Sequence, residues 1–254
     1  CSSDLSFRML QGIYTAASGM LAHEAMSEVI SNNLANASTP GFRQDFATFH
    51  MAGQKPDAKG GAALSPMLVF RSYTDFELGS VRTTGNPLDL SLADDGNGFF
   101  TVDTPKGERY TRAGNFTLSP SGTIVTANNL PVLGTAGPIT ANGGDIEITD
   151  TGEVYVDKNY VDRLKIVRFD RVDGRVPLRK AGNSLLTPLD DQTIPQIATD
   201  PQVRQQTLEG SNVNMVQEMA KLIHMVRGYE AYQRAILVSD NSLNMLIQRV
   251  GGGN

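Results

Sequence analysis

The chain has 254 residues, 40% of them apolar and 19% charged, with a formal net charge of -5 and no tryptophan. That length is ample for a buried core and leaves one domain or two open. The acidic balance, without any cluster of five Lys or Arg, argues against general binding to nucleic acid or anionic membrane. The longest apolar runs, Met67–Phe70 and Ala235–Val238, are four residues, far too short for a membrane-spanning helix.

At the N-terminal end, residues 1–8 (CSSDLSFR) join no pattern and read as a leader or remnant, with Met9 as the expected start. Arg8 followed by MLQGIYTAASGMLA has the order of a secretory signal, yet its longest apolar run is the three residues Met20–Ala22. Gln11, Gly12, Thr15 and Ser18 interrupt the rest, so a cleaved signal is not expected. Cys1 is the only cysteine, which rules out an intrachain disulfide or a Cys-based metal site.

From Leu10 to Ala37 the apolar positions recur at three and four (Leu10, Ile13, Ala17, Met20, Leu21, Ala25, Val29, then Met26, Ile30, Leu34, Ala37), a helical period with a drifting stripe. Pro40 and Gly41 end it, because proline restricts the residue before it and glycine permits a sharp change of direction. The texture then changes. Residues 43–80 are rich in Gly, Pro, Asp and Gln with little periodicity and read as a connecting arm.

Residues 81–176 alternate in short segments separated by turns. The tetrads Thr104–Gly107, Ser119–Gly122 and Thr149–Gly152 each open on a hydroxyl and close on a glycine suited to the left-handed exit of a turn. Strands are expected at Phe99–Asp103, Glu108–Arg112, Asn115–Leu118, Ile124–Ala127, Ile146–Thr149, Glu153–Val156 and Arg163–Phe169, the spacing of an antiparallel β domain. Residues 177–207 read as a return arm. In the final segment, 208–254, Met215, Met219, Leu222, Val226, Tyr229, Gln233, Ile236, Asp240, Leu243, Ile247 and Val250 alternate by four and three, and nine of these eleven are apolar. That is a coiled-coil seam of about five heptads, ended by Gly251–Gly253.

The expected fold class is therefore α+β: long, coiled-coil-like N- and C-terminal helices (9–42 and 208–254) flanking a central antiparallel β domain. Each fully buried Leu, Ile or Met contributes roughly 1.5–3 kcal/mol, and a two-helix tail buries only one stripe of each helix. Such helices call for further partners; a closed two-helix stalk packed on its own β domain is the alternative.

Candidate chemistry is sparse. His23, His50 and His224 have no metal-ligand spacing. Ala93–Phe100 (ADDGNGFF) lacks the ligand alternation of a calcium loop and is no phosphate-binding glycine motif, so a tight β turn is the simpler reading. No nucleophile elbow and no Cys–His pairing exists, and the residues nominate no enzyme, cofactor or metal. A carbohydrate- or peptide-binding β module on a helical stalk would need an aromatic groove, and aromatics are 7% of the chain. A cell-wall enzyme would need a carboxylate pair or a nucleophile triad, and neither can be nominated.

Polar residues in unexpected places are more informative. Asn32, Asn33 and Asn36 lie late in the first helix, and Ser211, Asn212 and Asn214 precede the last. Helix capping accounts for Ser211 or Asn212, but not for the first group. Nor does it account for Gln233 and Asp240 on the heptad seam, where polar residues cost stability and fix register or partner number.

The stretch IYTAASGMLAHEAMSEVISNNLANASTPGFR (Ile13–Arg43) resembles the N-terminal signature of bacterial flagellar rod and hook proteins, and LEGSNVNMVQEMAKLIHMVRGYEAYQRAI (Leu208–Ile236) resembles their C-terminal one. GNPLDLSLADDGNGFFTV, YTRAGNFTLSPSGTIVT and LPVLG are similar to the β domain of its rod members, so the likeness runs from Met9 onward. Length, NLANASTPGFR, RLKIVRF and LEGSNVN lean to the proximal rod members, with the distal ones next. CSSDLSFR and Gly228-Tyr229, where an alanine-aromatic pair is more usual, depart from the pattern.

The resemblance implies a structural subunit, exported unfolded by the flagellar type III apparatus without a cleaved signal. It would polymerise with copies of itself and other rod proteins into the periplasmic rod that carries torque to hook and filament. No nucleic acid or small-molecule substrate is implied. The residues expected to carry assembly are Asn33, Asn36, Pro40, Gly41 and Phe42 at one end and Ser211, Asn212, Val213 and Asn214 at the other. Along the last helix they are Met219, Leu222, Val226, Tyr229, Gln233, Ile236 and Asp240. The amides are expected to bridge neighbouring backbones in a packed tube.

Overall fold

The structure, a computed structural model, describes residues 2–52, 67–172, 174–190 and 193–251. In chain order it contains α1 (Ser2–Ala35), β1 (Asp45–Ala52), β2 (Met67–Thr74), β3 (Val81–Thr83), β4 (Leu90–Leu92), β5 (Gly98–Val102), β6 (Arg109–Thr111), β7 (Thr117–Leu118) and β8 (Ile124–Val125). There follow β9 (Ile146–Ile148), β10 (Glu153–Val156), β11 (Asn159–Arg163), β12 (Ile166–Arg168), β13 (Leu178–Gly182), β14 (Leu185–Pro188), β15 (Gln196–Ile197), β16 (Val203–Gln205), β17 (Thr207–Glu209) and α2 (Met215–Gly251). The chain divides into two compact units, one of residues 1–34, 45–73 and 215–254, the other of residues 35–44 and 74–214.

The first unit holds α1, α2 and the two-stranded sheet β1–β2. The helices meet through reciprocal notches. A Cβ on Gly19 would stand 2.7 Å from the Tyr232 ring, and one on Gly228 would stand 2.4 Å from His23. The two rings thus lie over glycines of the opposite helix and touch each other edge to face, centroids 5.2 Å apart. The unusual glycine at position 228 therefore has a packing reason.

The least exposed described positions of α2 are Glu218, Leu222, Met225, Gly228, Tyr229, Tyr232, Ile236, Ser239 and Ser242, spaced mainly by three and four. Leu222, Tyr229 and Ile236 belong to the expected seam. Met219, Val226, Gln233 and Asp240 do not, since all four are exposed, and each yields to the residue just before it. Leu222, Tyr229 and Ile236 thus keep their places, and only the alternate positions of the row move back by one residue. Gln233 and Asp240 are exposed on the single chain. Leu243, Ile247 and Val250, also expected on it, lie outside the residues whose side chains are described.

The expected fold class, α+β built on coiled-coil-like terminal helices, is corrected here. Two helices of 34 and 37 residues are the smaller share of a chain that otherwise forms seventeen described strands, joined in antiparallel pairs wherever the register is given. A long apolar stripe is conspicuous in sequence, whereas all the strands but β1 and β2 run only two to five residues and leave almost no periodic signal. Strands also occupy the stretches read as arms: β1 and β2 fall in 43–80, and β13 to β16 fall in 177–207.

The second unit is built on a six-stranded sheet of order β13-β14-β6-β5-β12-β15 and a three-stranded sheet β11-β10-β9. Strand β5 is buried at all five positions, and its alternation sends Phe100 and Val102 into one apolar cluster and Phe99 into the other. Edge-to-face pairs Phe100–Phe116 and Tyr110–Phe169, at 5.2 and 4.9 Å between centroids, lie in the two clusters. The three turn tetrads close as their residues dictate. The amides of Gly107, Gly122 and Gly152 bond to the carbonyls of Thr104, Ser119 and Thr149 at 2.8, 2.9 and 3.0 Å, each glycine with φ between 78° and 91°. Of the remaining pairs, β7–β8 is local, while β3–β17 and β4–β16 join distant parts of the sequence, as in Arg82 opposite Leu208 and Leu92 opposite Val203.

Candidate functional site

The asparagine-rich end of α1 is where sequence placed the site, and the structure gives its amides particular partners. Asn33, 1% exposed, donates from Nδ2 to the Asp45 carbonyl at 2.8 Å and accepts the Asp45 amide on Oδ1 at 2.9 Å. Its side chain thus imitates the edge of a strand at the first residue of β1. Nδ2 also reaches Oε2 of Glu218 at 3.3 Å. Glu218 is equally buried and takes Lys221 Nζ on its other oxygen; the same ammonium lies 5.5 Å from the centre of the Phe46 ring.

In the second unit, Asn36 shapes the turn that ends the helical run: its Oδ1 accepts the Thr39 hydroxyl at 3.2 Å and its carbonyl accepts the Thr39 amide at 3.1 Å. Half-buried Pro40 leads to Gly41, whose φ is 63° and whose missing Cβ would stand 2.3 Å from the Ala113 nitrogen. Both the conformation and the close approach exclude a side chain there. Phe42 is buried, with Lys180 Nζ 3.8 Å above its ring.

Asn212 works as Asn33 does. Its Oδ1 accepts the Gln44 amide at 2.7 Å, and Nδ2 donates to the Asp75 and Glu77 carbonyls at 3.2 and 3.1 Å. Its own amide bonds to the Phe42 carbonyl at 3.4 Å. The Ser211 hydroxyl accepts the amide of Val213 at 3.2 Å. These partners differ from the helix cap that sequence offered for Ser211 and Asn212. Asn214 directly precedes α2 and is exposed.

Four charged residues beside this turn were not singled out from sequence. Glu209, 1% exposed, takes the Gly79 amide at 3.0 Å on Oε1, where Arg43 also stands 2.8 Å away, and takes Arg112 Nε at 3.0 Å on Oε2. Arg112 continues to Asp94 at 2.7 Å and to the Gly98 carbonyl at 2.6 Å, and Arg43 to the Glu77 carbonyl at 2.6 Å. Two guanidinium groups and two carboxylates, each side chain 6% exposed or less, balance their charges in the interior. Burial weakens the hold of Arg43 on its proton more than Glu209 restores it. Burial would raise the Asp94 carboxyl, but Arg112 and the Gly96 and Gly98 amides outweigh it and hold the group below its ordinary value. Charged side chains are seldom fully buried, and positions 43, 94, 112 and 209 are far apart in sequence, so no local signal announces the cluster.

Among the described residues no group of three or more His, Cys, Asp or Glu could hold a metal ion, and no described helix is long and apolar enough to cross a membrane. The arrangement organises backbone.

Three family descriptions match the chain: "Flagella basal body rod protein" at residues 13–43, "Flagellar hook protein FlgE/F/G D1 domain" at 93–156 and "Flagellar basal body rod FlgEFG protein C-terminal" at 204–249. The flagellar basal-body rod protein FlgF of Rhizobium meliloti is 31% identical over 247 residues, 96% of this chain and 99% of its own. The chain belongs to the flagellar basal-body rod protein family. The FlgF of Caulobacter vibrioides is 32% identical over 252 residues, with 96% and 99% covered, and the FlgG of Bacillus subtilis is 31% identical over 272, with 94% and 98% covered. Membership makes this a structural rod protein rather than an enzyme. The rod family's N-terminal match includes Asn33, Asn36, Pro40, Gly41, Phe42 and Arg43, and its C-terminal match includes Glu209, Ser211, Asn212 and Glu218.

Proposed function

We propose that this chain is a rod subunit that joins copies of itself and other rod proteins through the outward face of α2. The observation that carries this reading is a row of exposed apolar residues: Met215, Val216, Met219, Ile223 and Val226 are 42–77% exposed. They lie between about a sixth and almost half a turn away from the row facing α1. Burying each fully contributes roughly 1.5–3 kcal/mol, a gain that a lone copy leaves unrealised. Asn33, Asn36, Gly41, Phe42 and Asn212 then act indirectly, by fixing the backbone that leads from and to the helices. Export through the flagellar type III apparatus without a cleaved signal, and a periplasmic rod that carries torque, complete the reading on the strength of the family likeness.

Within the family the proximal, FlgF-type position is favoured. The FlgF alignments of 247 and 252 positions fit the length of this chain, whereas that to the Bacillus subtilis FlgG runs over 272 positions and so carries gaps against 254 residues.

The test is the pair Met219→Asp and Val226→Asp. Both residues are about half exposed, so the monomer keeps its stability within about 0.5 kcal/mol per site, while incorporation into rods and motility are lost in a complemented strain. Normal motility of the double variant overturns the reading.

A further inference from the structure

Beyond the rod reading, and independent of it, the sheet β11-β10-β9 presents a face that the core does not use. Alternation sends Ile146, Ile148 and Val154 into the apolar cluster and leaves Glu147, Tyr155 and Tyr160 on the other side, where Tyr155 lies directly opposite both of the others. Glu153, two residues before Tyr155, lies on that same face and accepts the Tyr155 hydroxyl at 3.0 Å. The rings of Tyr155 and Tyr160 meet edge to face, centroids 5.7 Å apart, and Tyr160 remains 56% exposed.

The hairpin that carries the two tyrosines is tight. Asp157 and Lys158 form a two-residue turn with φ of 49° and 67°, the conformation that matches strand twist in a tight hairpin. The hydrogen bond to Glu153 first, then desolvation and the nearby Glu153, Tyr160 and Glu147, raise the Tyr155 phenol above its ordinary value. The cation on this face is already engaged, since Arg163, opposite Glu153, donates to the Thr151 and Thr199 carbonyls at 2.9 and 3.0 Å. Lys158 sits in the turn itself.

We infer that this tyrosine–carboxylate face is a docking site for a protein segment presenting an arginine or lysine side chain. An aromatic face attracts a cation through its quadrupole, and Glu147 and Glu153 supply the complementary charge. The net charge of -5 favours the approach of a basic segment.

The test is NMR of the full chain carrying 13C-labelled tyrosine, titrated with a hexa-arginine peptide, a neutral Gly-Ser peptide of equal length and a neutral N-acetylglucosamine oligomer. The Tyr155 and Tyr160 resonances are expected to shift saturably with the arginine peptide alone. Tyr160→Ala, and separately the pair E147Q/E153Q, should weaken that binding roughly fivefold or more, with the buried Tyr110 signal unmoved as a check on folding. Three results overturn the proposal: no shift, a uniform shift of all exposed tyrosines that E147Q/E153Q leaves unchanged, or a response to the glycan in place of the peptide.

Discussion

Asn33 and Asp45 are joined by two opposed hydrogen bonds, Nδ2 to carbonyl at 2.8 Å and amide to Oδ1 at 2.9 Å. An asparagine side chain carries a donor and an acceptor in the arrangement of a peptide group, so it can replace a strand neighbour at the point where β1 begins. Leucine cannot. Asn33→Leu loses both bonds and leaves buried Glu218 one donor short, a cost of about 2–4 kcal/mol. Chemical denaturation should show that loss, together with faster hydrogen exchange at the Asp45 amide. With Asn36→Leu added, the sheets within residues 74–214 are expected to stay folded by NMR while incorporation into rods fails; normal motility would count against this role.

Gly41 offers a sharper contrast. Alanine there must hold a φ of 63° and place its Cβ 2.3 Å from the Ala113 nitrogen, so the backbone has to move. Gly85 has a similar φ of 77° but open space around it. Gly85→Ala should therefore cost only about 1–2 kcal/mol, the conformational penalty, and Gly41→Ala clearly more. Equal shifts in the urea midpoint would remove the steric argument.

The buried charges predict asymmetric responses. Glu209→Gln leaves Arg43 and Arg112 without their shared anion, at a cost of about 3–5 kcal/mol. Lys165 and Glu108 form a pair that is 27% and 42% exposed, so Lys165→Ala should cost about 1 kcal/mol or less. Thermal unfolding of both variants checks the order.

Asp94 adds a pH dependence with a definite sign. Its folded-state value lies below the ordinary 3.8, so its stabilising effect is full above 3.8 and is lost as the pH falls through the folded value. The stability gap between the native protein and Asp94→Asn should be constant near neutrality and shrink in acid below 3.8. A gap that widened in acid would contradict the ion pair with Arg112.

What sequence revealed and what it hid divide along the range of the interaction. The turns at Gly107, Gly122 and Gly152 were legible because a hydroxyl, a glycine and one hydrogen bond within four residues decide them. The importance of Asn33 was legible as an oddity, an amide where apolar residues belong, and so was its use in bridging backbone; that the backbone is that of Asp45 was not. The α2 heptad was legible as a spacing, with Leu222, Tyr229 and Ile236 in place and the alternate positions one residue off, because periodicity says which residues share a face and not which face is covered. Glu218, Tyr232 and Gly228 show the difference: they face α1 through polar contacts, rings and notches that apolar counting does not weigh. The cluster of Arg43, Asp94, Arg112 and Glu209 was hidden, since each alone looks like a surface charge.

The central claim is that the outward row of α2 meets another subunit. A photo-crosslinking amino acid at Ile223, 55% exposed, tests it in assembled basal bodies, with the same probe at exposed Ser121 of the β unit as reference. Ile223 is expected to yield adducts with a second copy or another rod protein. Intact rods in which Ile223 forms no adduct, while Ser121 does, would contradict it.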